Sequence, residues 1–313
     1  MKIVFMGTPD FSVPTLKQLI AHHDVIAVVT QPDKRKGRGK AMQFPPVKET
    51  ALEYNIPVYQ PEKVREEAFV EELREMNPDV IVVVAFGQIL PESILNIPKY
   101  GCINIHASLL PKYRGAAPIQ WAVIDGEKET GVTSMYMEKG LDTGDMIDKL
   151  VVQIMPKETG ESLHDKLSLA GGELILETLE KLSSGTAVRT KQDDSLSCYA
   201  GMLTKELGRI DWNWSAERIE RLIRGLNSWP SAYTAFGKKT LKIWDADVED
   251  TASGKLPGEV VSVAKDHFSV QTGKGLLVIK EVQLQGKKRM PVSAFLLGNH
   301  VEDGMRLGNV IGD

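Results

Sequence analysis

The chain has 313 residues, of which 42% are hydrophobic and 26% charged, a composition usual for globular proteins. This length exceeds that of an ordinary single core and therefore predicts two domains. A net charge of −4 gives no global indication of nucleic-acid binding, although residues 208–313 hold 15 Lys+Arg against 13 Asp+Glu and form a mildly basic tail. The two cysteines lack metal-ligand or disulfide spacing, and no apolar run reaches 18 residues, so we expect a cytoplasmic protein without a membrane span or a bound metal.

Short apolar runs alternate with helical patterns in the first hundred residues. The predicted strands cover residues 2–6, 24–30, 56–60, 79–86 and 101–107, and the predicted helices cover 11–22, 47–54 and 62–76. The run DVIVVVAF at 79–86 is apolar on consecutive residues, as in a central parallel strand that is covered on both faces. This alternation predicts an α/β fold with a doubly wound, mostly parallel, Rossmann-like sheet.

The pattern changes after residue 126. Strands are predicted at 130–138 and 148–154 around the turn LDTGD, followed by a helix at about 160–183 that Gly171 and Gly172 should weaken. A polar, turn-rich stretch comes next. A helix at 215–226 then precedes short strands at 232–236, 239–249, 258–264, 267–272 and 275–284, which predict a small OB-like β-barrel. We therefore expect a catalytic domain at 1–186, a linker at 187–207 and a C-terminal β-barrel domain at 208–313.

Two stretches of the first domain are candidates for binding phosphate groups. GTPDF (7–11) follows the first strand but has one glycine where the dinucleotide fingerprint has three, which favours a simple turn and disfavours a nicotinamide or flavin site. From Lys34 to Lys40, five of seven residues are basic and the other two are glycines. This run is either a solvated loop or a mobile loop whose glycines allow close approach to a phosphate chain.

The strongest chemical pattern lies at 101–107, where Asn104 and His106 stand two residues apart on one predicted strand and so share a face. A lone strand histidine is more often structural, but a second polar group on the same face favours a catalytic role. An amide can donate to a developing oxyanion, and an imidazole can accept a proton near neutral pH. Asp142 or Asp145 of the LDTGD turn could orient His106, or both could be ordinary turn residues.

The segment AFGQILP (85–91) ends the predicted central strand. In open α/β sheets, ligands lie outside the carboxyl ends of the strands. Gly87 would let a flat ligand approach, and Phe86 or Ile89 could cover it. The alternative is a strand-ending turn without a ligand.

Taken in order, GTPDF, QPDK with GRGK, AFGQILP, GCINIHASLLPKYRGAAPIQ, GVTSMYMEKGLDTGDM and RIDWNWSA resemble the bacterial methionyl-tRNA formyltransferase family, a branch of the folate-dependent formyltransferases. The resemblance runs from residue 1 to about 236. It implies transfer of a formyl group from 10-formyltetrahydrofolate to the amino group of methionyl-initiator tRNA, by a protein expected to act as a monomer.

The resemblance also implies roles for particular residues. It places catalysis on Asn104, His106 and Asp142. It assigns two segments to the folate, consisting of Phe86, Gly87, Gln88, Ile89 and Leu90, and of Ser108, Leu109, Leu110 and Pro111. It assigns the basic segment to the acceptor end of the tRNA, through Lys34, Arg35, Lys36, Arg38 and Lys40, and the C-terminal domain to the outer surface of the tRNA.

Three other readings compete. A formyltransferase acting on a small amine, such as glycinamide ribonucleotide or an amino-sugar nucleotide, would share the three catalytic residues but need neither the basic segment nor the barrel. An RNA-binding protein on a degenerate α/β scaffold would not need the intact Asn-x-His and LDTGD pattern. A nicotinamide dehydrogenase is disfavoured by GTPDF.

Overall fold

The computed structural model describes residues 1–36 and 41–308. Its chain divides into two compact units, the first formed by 1–118, 129–153 and 164–200, and the second by 119–128, 154–163 and 201–313. The strands are β1 (Lys2–Gly7), β2 (Asp24–Val29), β3 (Lys34–Lys36), β4 (Ala41–Gln43), β5 (Val58–Tyr59), β6 (Val80–Val84), β7 (Cys102–His106), β8 (Arg114–Gly115), β9 (Glu129–Tyr136), β10 (Met146–Gln153), β11 (Tyr199–Ala200), β12 (Ala232–Phe236), β13 (Lys239–Glu249), β14 (Val260–Val263), β15 (Phe268–Gln271), β16 (Leu276–Leu284) and β17 (Met290–Pro291). The α-helices are α1 (Val13–His22), α2 (Pro46–Glu53), α3 (Glu67–Met76), α4 (Glu92–Leu95), α5 (Pro118–Asp125), α6 (Gly160–Ser184), α7 (Ala216–Gly225) and α8 (Val292–Leu296).

The first unit is built on a seven-stranded sheet in the order β10-β9-β7-β6-β1-β2-β5. Strands β7, β6, β1, β2 and β5 are parallel to one another, whereas β9 pairs antiparallel with β7 and with β10. Every residue of β6 is buried, because this strand lies between β1 and β7 and its apolar side chains are covered on both faces. The predicted Rossmann-like, mostly parallel sheet is confirmed.

Helix α6 runs without interruption from Gly160 to Ser184, although Gly171 and Gly172 were expected to weaken it. A Cβ atom added at Gly171 would lie 3.1 Å from Ile105 Cγ2, and one added at Gly172 would lie 3.2 Å from Gln18 Cγ. Both glycines therefore let the helix approach β7 and α1 closely, and this packing offsets their low helix propensity.

The second unit contains a sheet in the order β12-β13-β16-β15-β14, in which β17 also pairs with β16. All of these pairings are antiparallel. Its core is formed by apolar residues from this sheet and from α7, including Ile219, Leu222, Ile243 and Phe268. The strands stand where the sequence predicts them, but among the described residues β12 and β14 remain the two ends of the sheet, so the predicted OB-like barrel is not confirmed.

Candidate active site

Strand β7 carries two polar residues at its carboxyl-terminal half. Asn104 pairs with Met135 and His106 with Thr133 on β9, so the two residues occupy alternate positions of one strand and share a face. His106 is the last residue of β7 and is only 7% exposed. Asn104 is half-buried, and its side-chain amide makes no hydrogen bond with any residue that the structure describes. Its hydrogen-bonding capacity is therefore available to a ligand.

Both ring nitrogens of His106 face oxygen atoms of the chain. Nε2 lies 2.8 Å from the carbonyl oxygen of Tyr113, and because a carbonyl can only accept, Nε2 donates. Nδ1 lies 3.7 Å from Oδ2 of Asp142. In the neutral ring Nδ1 then carries the lone pair, and a proton taken up there would be paired with the Asp142 carboxylate.

The two carboxylates of the LDTGD turn have different partners. Asp142 has a positive φ of 52°, and its Oδ2 accepts a hydrogen bond of 2.9 Å from the backbone N–H of Gly115. Asp145 instead pairs with Arg189, with Oδ2 at 3.2 Å from Nε. Of the two candidates, Asp142 is the one that the structure brings to His106.

Gly115 is required at its position by close packing. It has a φ of 115°, and a Cβ atom added there would lie 2.6 Å from Cε2 of Tyr199 and 2.7 Å from the carbonyl oxygen of Ala200. The contact arises because β8 pairs in parallel with β11. Residues 199–200, which were predicted to lie in a linker, thus form a strand. This strand packs against Gly115, whose N–H donates to the Asp142 carboxylate.

A second residue of the predicted linker, Gln192, is buried and hydrogen-bonded to the same region. Its Nε2 donates to the carbonyl oxygens of Asp142 and Gly144, both at 2.8 Å. Its Oε1 accepts from Nε and Nη2 of Arg114, at 3.0 and 2.8 Å. Sequence reasoning missed Gln192, because a glutamine in a polar, turn-rich stretch carries no periodic signal of burial.

The segment at the end of β6 presents few side chains to solvent. Phe86 is 2% exposed and packs in the apolar core, while its carbonyl oxygen accepts from Thr8 Oγ1 at 2.9 Å. Gln88 is held by the backbone, with Val64 N donating to its Oε1. Ile89 is 86% exposed, whereas Leu90 is buried. Of the two side chains expected as candidates to cover a ligand, Phe86 is buried and Ile89 is accessible, as is the exposed backbone of Gly87.

The Ser108–Pro111 segment is fixed by hydrogen bonds to its neighbours. Ser108 is buried, and its hydroxyl donates to the carbonyl oxygen of Lys112 at 2.6 Å. Leu110 is also buried, and its carbonyl oxygen accepts from Lys149 Nζ at 2.5 Å. Burial lowers the pKa of Lys149. Leu109 and Pro111 are half-buried and are the accessible side chains of this segment.

The first three residues of the basic segment form one strand of a two-stranded sheet. Lys34 pairs with Gln43 at the start of β3, and Lys34 is exposed. Arg35 and Lys36 continue the strand, whereas Arg38 and Lys40 lie outside the described residues. The prediction of a loop is therefore wrong for 34–36, where the backbone pairs with 41–43.

The residue before β3, Asp33, is anchored by hydrogen bonds to its side chain. Its carboxylate accepts from Gln60 Nε2 at 2.8 Å and from Lys48 Nζ at 2.7 Å. The hydrogen bond from Gln60, and then that from Lys48, lowers the pKa of the Asp33 carboxyl.

No group of three or more His, Cys, Asp or Glu side chains suited to hold a metal ion occurs within residues 1–36 and 41–308. In the same ranges, no helix combines the length and apolar character needed to cross a bilayer.

Comparison with known proteins identifies the class to which this fold and site belong. A formyl transferase family model matches residues 1–179, and a model of the formyl transferase C-terminal domain matches residues 202–300. The N-formyltransferase of Helicobacter canadensis has a similar fold, with a TM-score of 0.69 at 19% identity, over 93% of this chain and all of that one. HypX of Aquifex aeolicus superposes with a TM-score of 0.61 at 21% identity, over 95% of this chain and 47% of that one. The fold is that of the formyl transferases.

Sequence relatives narrow the class further. The methionyl-tRNA formyltransferase of Lachnospira eligens is 59% identical over 98% of this chain and 100% of its own length. That of Geobacter metallireducens is 56% identical over 99% of both chains. The chain belongs to the methionyl-tRNA formyltransferase family.

Proposed function

We propose that this protein transfers the formyl group of 10-formyltetrahydrofolate to the α-amino group of methionyl-initiator tRNA, which prepares that tRNA for translation initiation. The observation that carries the proposal is 59% identity to a methionyl-tRNA formyltransferase over 98% of the chain, a span that includes the C-terminal unit. A relationship confined to the first unit would support formyl transfer alone, whereas one that spans both units also supports the tRNA as substrate.

The residues beyond the carboxyl ends of β6 and β7 fit a formyl donor carried on folate. Ile89 offers a large exposed apolar side chain, and Gly87 beside it has no side chain to obstruct a flat ring. Two half-buried apolar side chains, Leu109 and Pro111, lie beyond the end of β7. These residues, with the backbone of 86–90 and 108–111, would hold the folate, which supplies the formyl group when bound. The buried side chains of Phe86 and Leu90 would support this surface from the core.

Asn104 is proposed to stabilise the charge that develops during transfer. Acyl transfer places negative charge on the carbonyl oxygen, and a preorganised N–H donor at that position stabilises it. The amide of Asn104 has no hydrogen-bonding partner among the described residues. It is therefore free to donate to such an oxygen, and it need not first break a contact within the chain.

His106, paired with Asp142, is proposed to receive the proton that the attacking amine loses, and to return a proton to N10 of the folate as the bond between N10 and the formyl carbon breaks. An α-amine has a pKa of about 8, so a useful fraction is neutral at cellular pH and no strong base is needed. The Nε2 proton of His106 is engaged by Tyr113, which leaves Nδ1 as the nitrogen able to accept a proton. Asp142 faces Nδ1 and would stabilise the resulting imidazolium. This arrangement favours His106 as a base over His106 as an oxyanion donor.

The basic segment and the C-terminal unit are proposed to bind the tRNA. Lys34, Arg35, Lys36, Arg38 and Lys40 would contact phosphates of the acceptor end, since contact with a polyanion needs only local positive charge. Solvent-exposed side chains of a separate C-terminal domain at 208–313 would contact its outer surface, and this domain would follow a catalytic domain at 1–186 and a linker at 187–207.

The proposed substrate also implies where and in what form the protein acts. We propose a cytoplasmic monomer, since initiator tRNA is used in the cytoplasm and one chain contains the proposed catalytic residues. Light scattering after size exclusion would test the mass against the 34.6 kDa of one chain.

The direct test is a transfer assay with purified protein. Radiolabelled 10-formyltetrahydrofolate is incubated with methionyl-initiator tRNA, with uncharged tRNA, with free methionine and with an amino-sugar nucleotide. Label should enter methionyl-tRNA alone. Label in the amino-sugar nucleotide would instead support the small-amine alternative, and label in no acceptor would refute formyl transfer.

A further inference from the structure

Gln192 stands out among the buried polar residues of the first unit because its side chain is fully hydrogen-bonded at 6% exposure. Both amide hydrogens are donated, to the carbonyl oxygens of Asp142 and Gly144. Both lone pairs of the amide oxygen are used, by Nε and Nη2 of Arg114. An amide with this complete set of partners has one orientation and fixes what it touches.

Gln192 is hydrogen-bonded to two segments of the chain, and each of these segments holds one of the two groups that face the His106 ring. On one side it holds the backbone of Asp142, whose carboxylate faces Nδ1 at 3.7 Å. On the other side it holds the side chain of Arg114, which follows Tyr113, the residue whose carbonyl oxygen accepts from Nε2. Gly115, the next residue, donates to the Asp142 carboxylate. One side chain therefore sets the spacing between the two segments that hold the imidazole.

We propose that Gln192 is a positioning residue for formyl transfer, which acts by holding Asp142 against His106. The inference rests on the proposed function, because it assumes that Asp142 and His106 take part in the reaction. The backbone of Asp142 has a positive φ of 52°, a conformation disfavoured for a residue with a Cβ atom, so the turn needs external hydrogen bonds to hold it. Gln192 supplies two of them.

Substitution of Gln192 separates this role from simple packing. Gln192→Met keeps the length of the side chain but removes its hydrogen bonds to Asp142, Gly144 and Arg114. Gln192→Glu keeps acceptors for Arg114 but has no hydrogen to donate, and it sets a carboxylate against the carbonyl oxygens of Asp142 and Gly144. Both variants should therefore release Asp142, the first by loss of contacts and the second by repulsion.

The chain offers a matched control in Gln271 of the second unit. This glutamine is also 6% exposed. Its Nε2 donates to two carbonyl oxygens, of Thr272 and Gly275, and its Oε1 accepts two hydrogen bonds from Ser253. Gln271→Met removes an equivalent set of bonds without touching the Asp142 turn, so it reports the cost of losing a buried amide as such.

The expected result is a split between turnover and binding. Misplacement of a catalytic group by about 1 Å can cost about 100-fold in rate. We therefore expect kcat to fall about 100-fold in Gln192→Met and Gln192→Glu, with KM for methionyl-tRNA and for 10-formyltetrahydrofolate within about threefold of the unmodified protein. Gln271→Met should keep kcat within about twofold. Equal losses of kcat in Gln192→Met and Gln271→Met would overturn the proposal.

A double variant tests whether Gln192 acts through Asp142. In a chain that already carries Asp142→Asn, Gln192→Met should lower the single-turnover rate by less than about threefold, since residues that act as one unit are not additive. A second loss of about 100-fold would show independent action and overturn the proposal. Rates are taken with excess enzyme over hours, so that slow variants remain measurable.

Hydrogen exchange gives a readout that needs no activity. Peptides covering 137–146 should exchange faster in Gln192→Met and Gln192→Glu than in the unmodified chain and in Gln271→Met. Unchanged exchange in both Gln192 variants would overturn the positioning role. If the unmodified chain exchanges normally but formylates no acceptor, the proposed function fails while the role of Gln192 in holding the turn is still decided. If Gln192→Met does not fold, Gln192→Glu carries the same tests.

Discussion

Replacement of Asp142 by asparagine should remove the charge that faces His106 while leaving the turn in place. Asparagine has the size of aspartate, and its carbonyl oxygen can still accept from the N–H of Gly115, which Asp142 now binds at 2.9 Å. The change therefore isolates the interaction between the Asp142 carboxylate and an imidazolium formed at Nδ1 of His106.

The distance between these groups sets the expected loss of rate. Opposite unit charges 3.7 Å apart attract by about 4.5 kcal/mol at an effective dielectric constant of about 20. Both side chains are largely shielded from solvent, at 8% and 14% exposure, so little of this energy is screened. Each 1.36 kcal/mol is worth about tenfold in rate, so loss of the charge should lower kcat by about three orders of magnitude.

Single-turnover formylation of methionyl-initiator tRNA is the appropriate assay, since it reports transfer without product release. Asp145→Asn is the matched control, because Asp145 belongs to the same turn but pairs with Arg189. It should formylate within a few-fold of the unmodified protein. A loss below about tenfold in Asp142→Asn, or equal losses in both variants, would contradict the proposed pairing of His106 with Asp142.

Three further predictions concern the tRNA, the packing of the site and the thiols. Arg38→Ala should raise KM for methionyl-tRNA and reduce the slope of log affinity against log salt by about one, and unchanged values would argue against a phosphate contact. Gly115→Ala should destabilise the protein by about 2 kcal/mol or more in urea unfolding, because the added methyl group would lie 2.7 Å from the backbone carbonyl oxygen of Ala200. A midpoint like that of Gly185→Ala, where φ is also positive but nothing lies within 4 Å, would contradict this. Burial raises the pKa of Cys102 to about 12, so its thiol is protonated at pH 8. At that pH only the exposed Cys198 should react with Ellman's reagent in the native protein. Reaction of two thiols before denaturation would contradict the burial of Cys102.

The elements whose burial is periodic could be predicted from the sequence. The apolar run of β6 fixes a central strand, because only a strand covered on both faces tolerates such a run. Strand geometry likewise puts Asn104 and His106 on one face. The choice between Asp142 and Asp145 could not be made in advance, because both lie in one short turn and their partners are distant in sequence.

Other features depend on contacts that no local pattern records. Phe86 and Ile89 are both large apolar residues after a strand, yet one is buried in the core and the other exposed. Gln192 makes its bonds to residues 48 to 78 positions away, so its polar neighbours in sequence suggested a linker. Among the described residues β12 and β14 do not pair, and this too could not be predicted, because closure of a barrel depends on the pairing of its end strands and not on the number of strands.

The division of the chain has a consequence for dissecting the protein. The chain passes between its two units five times, because segments 119–128 and 154–163 belong with residues 201–313. Truncation after Ala200 would strip these segments of their partners: the indole N–H of Trp121 would lose the carbonyl oxygen of Gly201, and the carbonyl oxygen of Glu158 would lose Arg224. A fragment ending there would expose apolar and polar groups together and should aggregate. Complementation by two separately expressed halves is therefore a poor strategy for this chain, and an internal deletion or circular permutation would have to keep both segments with the C-terminal sheet.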